Sequence, residues 1–280
     1  MSATIKGAAT ELGTERIRKL LMQYAVPAII AMTASSLYNM VDSIFIGHGV
    51  GPLAISGLAL TFPLMNLAAA FGSLVGVGAA TLVSMRLGQR DYGTAQNILG
   101  NVVVLNLIIG LAFGITTLRL RDPILYFFGA SEATIGYARD YMSIILMGNV
   151  ITHMYLGLNS VLRASGHPRK SMYATIYTVV INAALDPLFI YGFGWGIRGA
   201  AIATVLSQLA SCVYAVRFLL GKKPPIRITR GGYSAAVMRR VLTLGFSPFI
   251  IIALDNVMII AMNAVLQHYG GAARGDALVT

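Results

Sequence analysis

Three of the ten acidic residues stand where water is scarce. Asp42, Asp186 and Asp255 lie inside long apolar runs, whereas the other seven fall in polar stretches or at run ends. A carboxylate in the hydrocarbon region costs about 2.5–3.5 kcal/mol on insertion scales, so such a group is retained for a partner or a function. No basic partner is available, because no Lys or Arg lies in the core of any apolar run; Arg217 belongs to the basic end of its run. Neutral oxygens accompany the acids at helical spacing. Tyr38 precedes Asp42 by four residues and Asn182 precedes Asp186 by four, so each pair shares a helix face. Thr204 adds a hydroxyl from the next run. Pro187 has no N–H to give to the carbonyl of Ala183, which leaves that oxygen for water or a cation. Two chemistries fit this set. Two carboxyls sharing a poorly solvated cavity cannot both ionise freely, so a proton can load and unload there. Alternatively, Asp42, Asn182, Asp186 and Thr204 make a hard-oxygen cage suited to Na⁺. Either site would respond to an ion gradient.

The elements that must carry these residues are membrane helices. Of the 280 residues, 56% are hydrophobic and only 11% charged, and the mean hydropathy is +0.73. Ordinary soluble domains carry roughly 25% charged residues. Seven apolar runs emerge: 24–46, 53–83, 98–118, 141–162, 172–193, 200–220 and 241–266. Each reaches the roughly 20 residues needed to cross a bilayer. The second is too long for one straight crossing, and Pro63 and Gly72 are the positions expected to bend it. An aromatic-rich stretch, Asp122 to Gly129, is too short to span and predicts a turn of helix lying in the interface. No removable signal peptide precedes the first run. The fold class expected is all-α integral membrane.

Lys and Arg collect on alternate loops. Of the 21 bases, all but Arg119, Arg121, Arg139, Arg198 and Arg274 fall on the side of the N-terminus. That bias predicts a multi-pass protein of the cell's inner (plasma) membrane with a cytoplasmic N-terminus. The net charge of +11 is then a topology signal, and nucleic-acid binding is excluded. The single cysteine, Cys212, forms no intrachain disulfide. His48, His153, His167 and His268 show no metal-ligand spacing, and His153 reads as a packing residue. The Gly72, Gly76, Gly78 series reads as close helix packing.

The longest connection, Gly221 to Arg240, has linker chemistry, with Pro224-Pro225 as a stiff part and Gly231-Gly232 as a hinge. The run after it echoes the first. Superposing Pro248 on Pro27 aligns Leu244 to Ile250 with the stretch Gln23 to Ile29, and each run ends in a His and glycines. The expected organisation is a six-helix lobe (1–220), a cytoplasmic linker (221–240) and the first helix of a second, parallel lobe (241–280), with about five further helices in a complete protein.

Several of these stretches resemble one family. Val41 to Gly47, Leu162 to Gly166, Asn182 to Ile190 and Gly199 to Thr204, taken in order, are similar to the multidrug and toxic compound extrusion (MATE) transporters. The resemblance implies a six-helix MATE-type lobe plus the first helix of a second. It implies an antiporter, not an enzyme, that exports organic cations and other xenobiotics in exchange for H⁺ or Na⁺ and needs no other cofactor. It assigns the coupling ion to Asp42, Asn182, Asp186 and Thr204 with Tyr38 alongside, Na⁺ taking the first four as metal ligands, and points to Asn159 and Asp255 as cavity residues. The partners implied are the bilayer, an amphipathic drug and the second lobe. Three rivals stand beside this reading: a flippase for lipid-linked precursors, which would want bases in the cavity; an intramembrane prenyltransferase, which would want clustered acids for Mg²⁺; and a lobe that does not transport.

Overall fold

The computed structural model describes residues 15–221, 224–229 and 231–270, with side chains as far as Met262 except Asn39. The N-terminal residues carrying Lys6 and Glu11, the linker residues Lys222, Lys223 and Arg230, and the stretch with Arg274 and Asp276 lie outside the described residues, as does the side chain of His268.

Among the described residues the chain is all helical. The helices are α1 (Ile17–Gly49), α2 (Pro52–Ala59), α3 (Phe62–Gly88), α4 (Tyr92–Arg119), α5 (Arg121–Phe127), α6 (Ile135–Met147), α7 (Asn149–Ala164), α8 (Pro168–Pro187), α9 (Gly196–Leu220) and α10 (Ala235–Gly270). Six of them are long and apolar enough to cross a membrane, and α6 with α7 forms a seventh crossing bent by 57°.

Local chemistry sets the breaks. The second apolar run divides at Leu60–Thr61, where the Thr61 hydroxyl donates to the Leu58 carbonyl at 2.6 Å and Pro63 enters the first turn of α3. Gly72 does not bend α3; a Cβ there would meet Leu156 at 2.7 Å, so its role is contact with α7. The fourth run breaks at Gly148, where a Cβ would lie 2.5 Å from Val205 on α9. Just beyond, the Asn149 amide donates to the Gly110 carbonyl of α4 at 2.9 Å. Proline ends α8, and the chain leaves it through a π-helical turn, Leu188–Gly192, closed by Phe193 N–H to the Leu188 carbonyl at 2.9 Å. Single π turns of this kind recur at functional sites. The interfacial stretch forms α5, tied to α6 by Asp122, which pairs with Arg121 at 2.7 Å and Arg139 at 3.0 Å.

Two apolar clusters close the bundle. One, built around Val75, Leu99, Leu162 and Leu219, fills the end carrying the N-terminus. The other, around Ile46, Leu64, Tyr141 and Ala200, fills the opposite end. The final helix is fastened to the six-helix unit by a reciprocal glycine contact: a Cβ on Gly78 would lie 2.0 Å from the Val241 carbonyl oxygen, and one on Gly245 would lie 1.7 Å from that of Leu74. Small residues let membrane helices approach this closely. The described part of the linker is packed as well. Asn101 accepts from Ser234 N–H at 2.8 Å and donates to the Gly232 carbonyl at 3.2 Å, and Ile226 is buried. Gly231 and Gly232 adopt φ of +98° and +72°, the region glycine enters freely.

The echo between the first and last runs has a structural counterpart. Both α1 and α10 exceed thirty residues and hold one internal proline, Pro27 and Pro248. Both also leave most of their apolar surface uncovered.

Candidate functional site

Asp42 and Asp186 meet. Four elements converge on them: α1 seats against α8, α9 packs beside α8, and α6 closes the outer side. Fixed helical rise explains the common level. At ~1.5 Å per residue, Asp42 lies about 7 Å and Asp186 about 10 Å below the outer ends of their apolar runs, and Thr204 about 7 Å below the start of α9's run.

The two carboxyls lie side by side, close enough to interact directly. Asp42 is 6% exposed and Asp186 fully buried. The Asn182 amide donates to Asp186 Oδ1 at 3.2 Å, the i, i+4 contact that their spacing predicts. Across the gap, the Tyr38 hydroxyl and Thr204 Oγ1 are 3.0 Å apart. Tyr141 on α6, 1% exposed, lies within electrostatic reach of both acids.

The accounting of donors and acceptors is lopsided. Asp42 Oδ1, Asn182 Oδ1 and Asp186 Oδ2 are buried without any hydrogen-bond partner. All three are acceptors, and neither acid joins an ion pair among the described residues. Buried polar atoms in native proteins are nearly always paired, so three orphans of one kind in one place mark a site for a positive guest. A proton between two adjacent carboxyls would remove their repulsion, as in carboxylate dyads that share one proton. A small hard cation would instead take the orphan oxygens as ligands. Among the described residues no three His, Cys, Asp or Glu side chains come together. A metal ion here would therefore rest on two carboxylates and neutral oxygens.

Of the seven residues singled out from sequence, five lie together: Tyr38, Asp42, Asn182, Asp186 and Thr204. Asn159 does not join them. Its oxygen accepts from Ser171 at 2.5 Å and its amide donates to Thr175 at 3.2 Å, a separate polar contact between α7 and α8. Asp255 is exposed on α10. Tyr141 is the residue that sequence reasoning missed. It is the first residue of the fourth apolar run, where it reads as a boundary, yet it is buried in the apolar cluster at that end of the bundle. His153 is buried with Nδ1 on the Asn149 carbonyl at 3.0 Å, a packing contact.

On the opposite face of α1 lies an apolar recess of about 620 Å³, lined by Met40, Ile44, His48 and Ile55. One helix thus separates the acid pair from an oily surface.

The fold is found in known transporters. The MatE family model matches residues 27–188. A multidrug export protein MepA from Staphylococcus haemolyticus is 29% identical over 92% of this chain and 57% of its own length. A MOP superfamily transporter from Pyrococcus furiosus superposes with a TM-score of 0.89 at 28% identity, covering 99% of this chain and 61% of that one. An outward-facing multidrug resistance MATE transporter gives 0.86 at 28% identity over the same shares. This chain therefore spans about 57–61% of the length of these relatives. With the family model running across more than half of its residues, the chain belongs to the MatE family of membrane transporters.

Proposed function

We propose that the whole protein is a cation-coupled antiporter that exports amphipathic organic cations and related xenobiotics, and that the Asp42–Asp186 pair holds the coupling ion, H⁺ or Na⁺. In this reading it works in the cell's inner membrane with its N-terminus in the cytoplasm, where the basic loops favour it. Residues 1–220 act as one lobe, 221–240 as the linker and 241–280 as the start of a second lobe. The multidrug export proteins among its relatives support the substrate class.

One observation carries the proposal: three buried acceptor oxygens from two helices, Asp42 Oδ1, Asn182 Oδ1 and Asp186 Oδ2, lack any donor. Each unsatisfied buried group costs about 1–3 kcal/mol, more when charged. A captured cation offsets that cost, so the ion-loaded lobe differs in free energy from the empty one. Coupling follows from α1. Its inner face carries Tyr38 and Asp42 and its outer face lines the apolar recess. Pro27 removes one helical hydrogen bond lower in the same helix. Loading the acid pair draws α1 onto α8 and reshapes the recess, so cation and drug compete for opposite sides of one helix. Chemistry is confined to ion and solute movement, with no covalent step.

The test is gradient-driven efflux of a fluorescent organic cation from vesicles holding the full-length protein. Asp42→Asn and Asp186→Asn should each uncouple efflux from the imposed H⁺ or Na⁺ gradient. Unchanged coupling in both variants would defeat the proposal.

A further inference from the structure

A second recess lies at the basic end, away from the acid pair. The turn between α7 and α8 faces the start of α1 across a cavity of about 400 Å³, lined by Lys19, Gln23, His167, Arg169 and Lys170. Lys19 is already paired with Glu15 at 2.8 Å. Arg169 is exposed and joins no ion pair among the described residues. Lys170 holds its ammonium 5.6 Å from the Phe218 ring and 5.9 Å from the Tyr173 ring, contacts that fix its position without cancelling its charge. His167 is turned inward, with Nδ1 3.0 Å from the Ser165 carbonyl, and burial holds it below the usual histidine range, so the open positive charge comes from Arg169 and Lys170.

The other basic turn described at this end is different. Between α3 and α4, Arg86 bonds Gln89 at 3.2 Å and faces Asp91 at 3.7 Å, so its charge is answered locally. On another face of the same stretch, α1 bears an apolar trough of about 490 Å³ along Ile17, Leu21, Tyr24 and Ala25, with almost no polar lining, which turns that side of the helix to lipid. A charged recess at the basic end of helices that otherwise face lipid suits a phospholipid, whose anionic head lies at the interface and whose acyl chains lie in the bilayer.

We infer that this cavity is a binding site for the phosphoryl head of an anionic phospholipid, which bridges Arg169 and Lys170 to the start of α1 while its acyl chains stay in the surrounding bilayer. Basic pockets between membrane helices on the cytoplasmic side take anionic head groups in this way. The site rests on the orientation proposed above only for which leaflet supplies the lipid, and it is independent of the acid pair. By clamping the base of α1, the lipid steadies the helix that carries Asp42.

The test uses the full-length protein in neutral detergent, with phosphatidylglycerol titrated in and bound lipid counted by native mass spectrometry. The wild type should keep one phosphatidylglycerol in preference to phosphatidylcholine. Arg169→Gln with Lys170→Gln should weaken that binding about 30-fold, roughly fivefold for each base near an anionic surface. Arg86→Gln with Arg90→Gln, which removes as much charge from the other turn, should leave it unchanged. Since Arg169 is exposed, Arg169→Gln alone gives a variant whose folding is not at issue, and it should weaken binding about fivefold. Equal retention in all variants would overturn the inference, as bulk charge would then explain it. Displacement of the lipid by an equal concentration of inorganic phosphate would overturn it too, by assigning the cavity to a soluble phosphate.

Discussion

Replacing Asp42 by Asn is expected to stabilise the ion-free protein and to abolish its response to the coupling cation. In the empty site the two carboxyls lie side by side, and one oxygen of each has no donor. Asparagine keeps the shape of the side chain, removes one charge and offers Nδ2 to Asp186. A hydrogen bond to a charged acceptor contributes about 1.5–3 kcal/mol. The wild type recovers a similar amount only by binding its ion, since a ligand at a hundred times its Kd stabilises by about 2.7 kcal/mol. Wild type and variant should therefore have similar stability when the ion saturates, and differ by about 2 kcal/mol in its absence. The assay is thermal unfolding of the full-length protein in neutral detergent, first at high pH in choline chloride, then with Na⁺ added or the pH lowered. A variant that is less stable than wild type in the ion-free buffer, yet keeps the full ion-dependent shift, would refute the reasoning and mark Asp42 as a packing residue.

Further outcomes follow from neighbouring geometry. Tyr38→Phe removes the hydroxyl bonded to Thr204 and should cost about 0.5–1.5 kcal/mol, with a several-fold weaker ion-dependent shift in the same unfolding assay. Asn159→Ala should lower stability by about 1–3 kcal/mol through the orphaned Ser171 and Thr175 while leaving the ion-dependent shift intact, and Asp255→Asn should leave both intact. Gly78→Leu forces a side chain into the α10 backbone and should destabilise by at least about 1–3 kcal/mol, read as a lowered unfolding temperature and as new protease cleavage in the linker. Asp122 is held below the ordinary carboxylate range, first by its hydrogen bond from Arg121 and then by Arg139. A depressed carboxyl contributes stability above the unfolded value of about 3.9 and loses it as pH falls below that. Being partly exposed, Asp122 contributes no more than about 1 kcal/mol, so Asp122→Asn should be slightly less stable at pH 7 and equal to wild type once the pH drops well below 4.

Much of this architecture can be read from the chain because lipid imposes its own rules. Apolar runs of fixed minimum length, basic loops on alternate sides and a proline at the start of α3 are all local signals. The common depth of Asp42, Asp186 and Thr204 is legible for the same reason, since helical rise converts sequence position into height. What sequence hides is rotation and bending set by other helices. The apolar pattern runs unbroken through Gly148, and the bend there comes from Val205 pressing on the glycine and from Asn149 reaching α4. Tyr141 reads as a span boundary when it is buried in the apolar cluster near the acid pair. Asn159 sits on a face of α7 turned to Ser171 and Thr175, which no spacing on its own helix reveals. Asp255 is exposed because the Gly78–Gly245 contact decides which side of α10 is covered, and that contact joins residues far apart in the chain.

Infrared difference spectroscopy of the carboxyl groups, recorded on the full-length protein as the pH is lowered and again as Na⁺ is added, reads the acid pair itself. If one cation is shared between α1 and α8, the wild type gives a carboxyl signal that disappears in Asp42→Asn and equally in Asp186→Asn. A signal that survives intact in either variant would mean that the two acids work apart, and that no shared site exists.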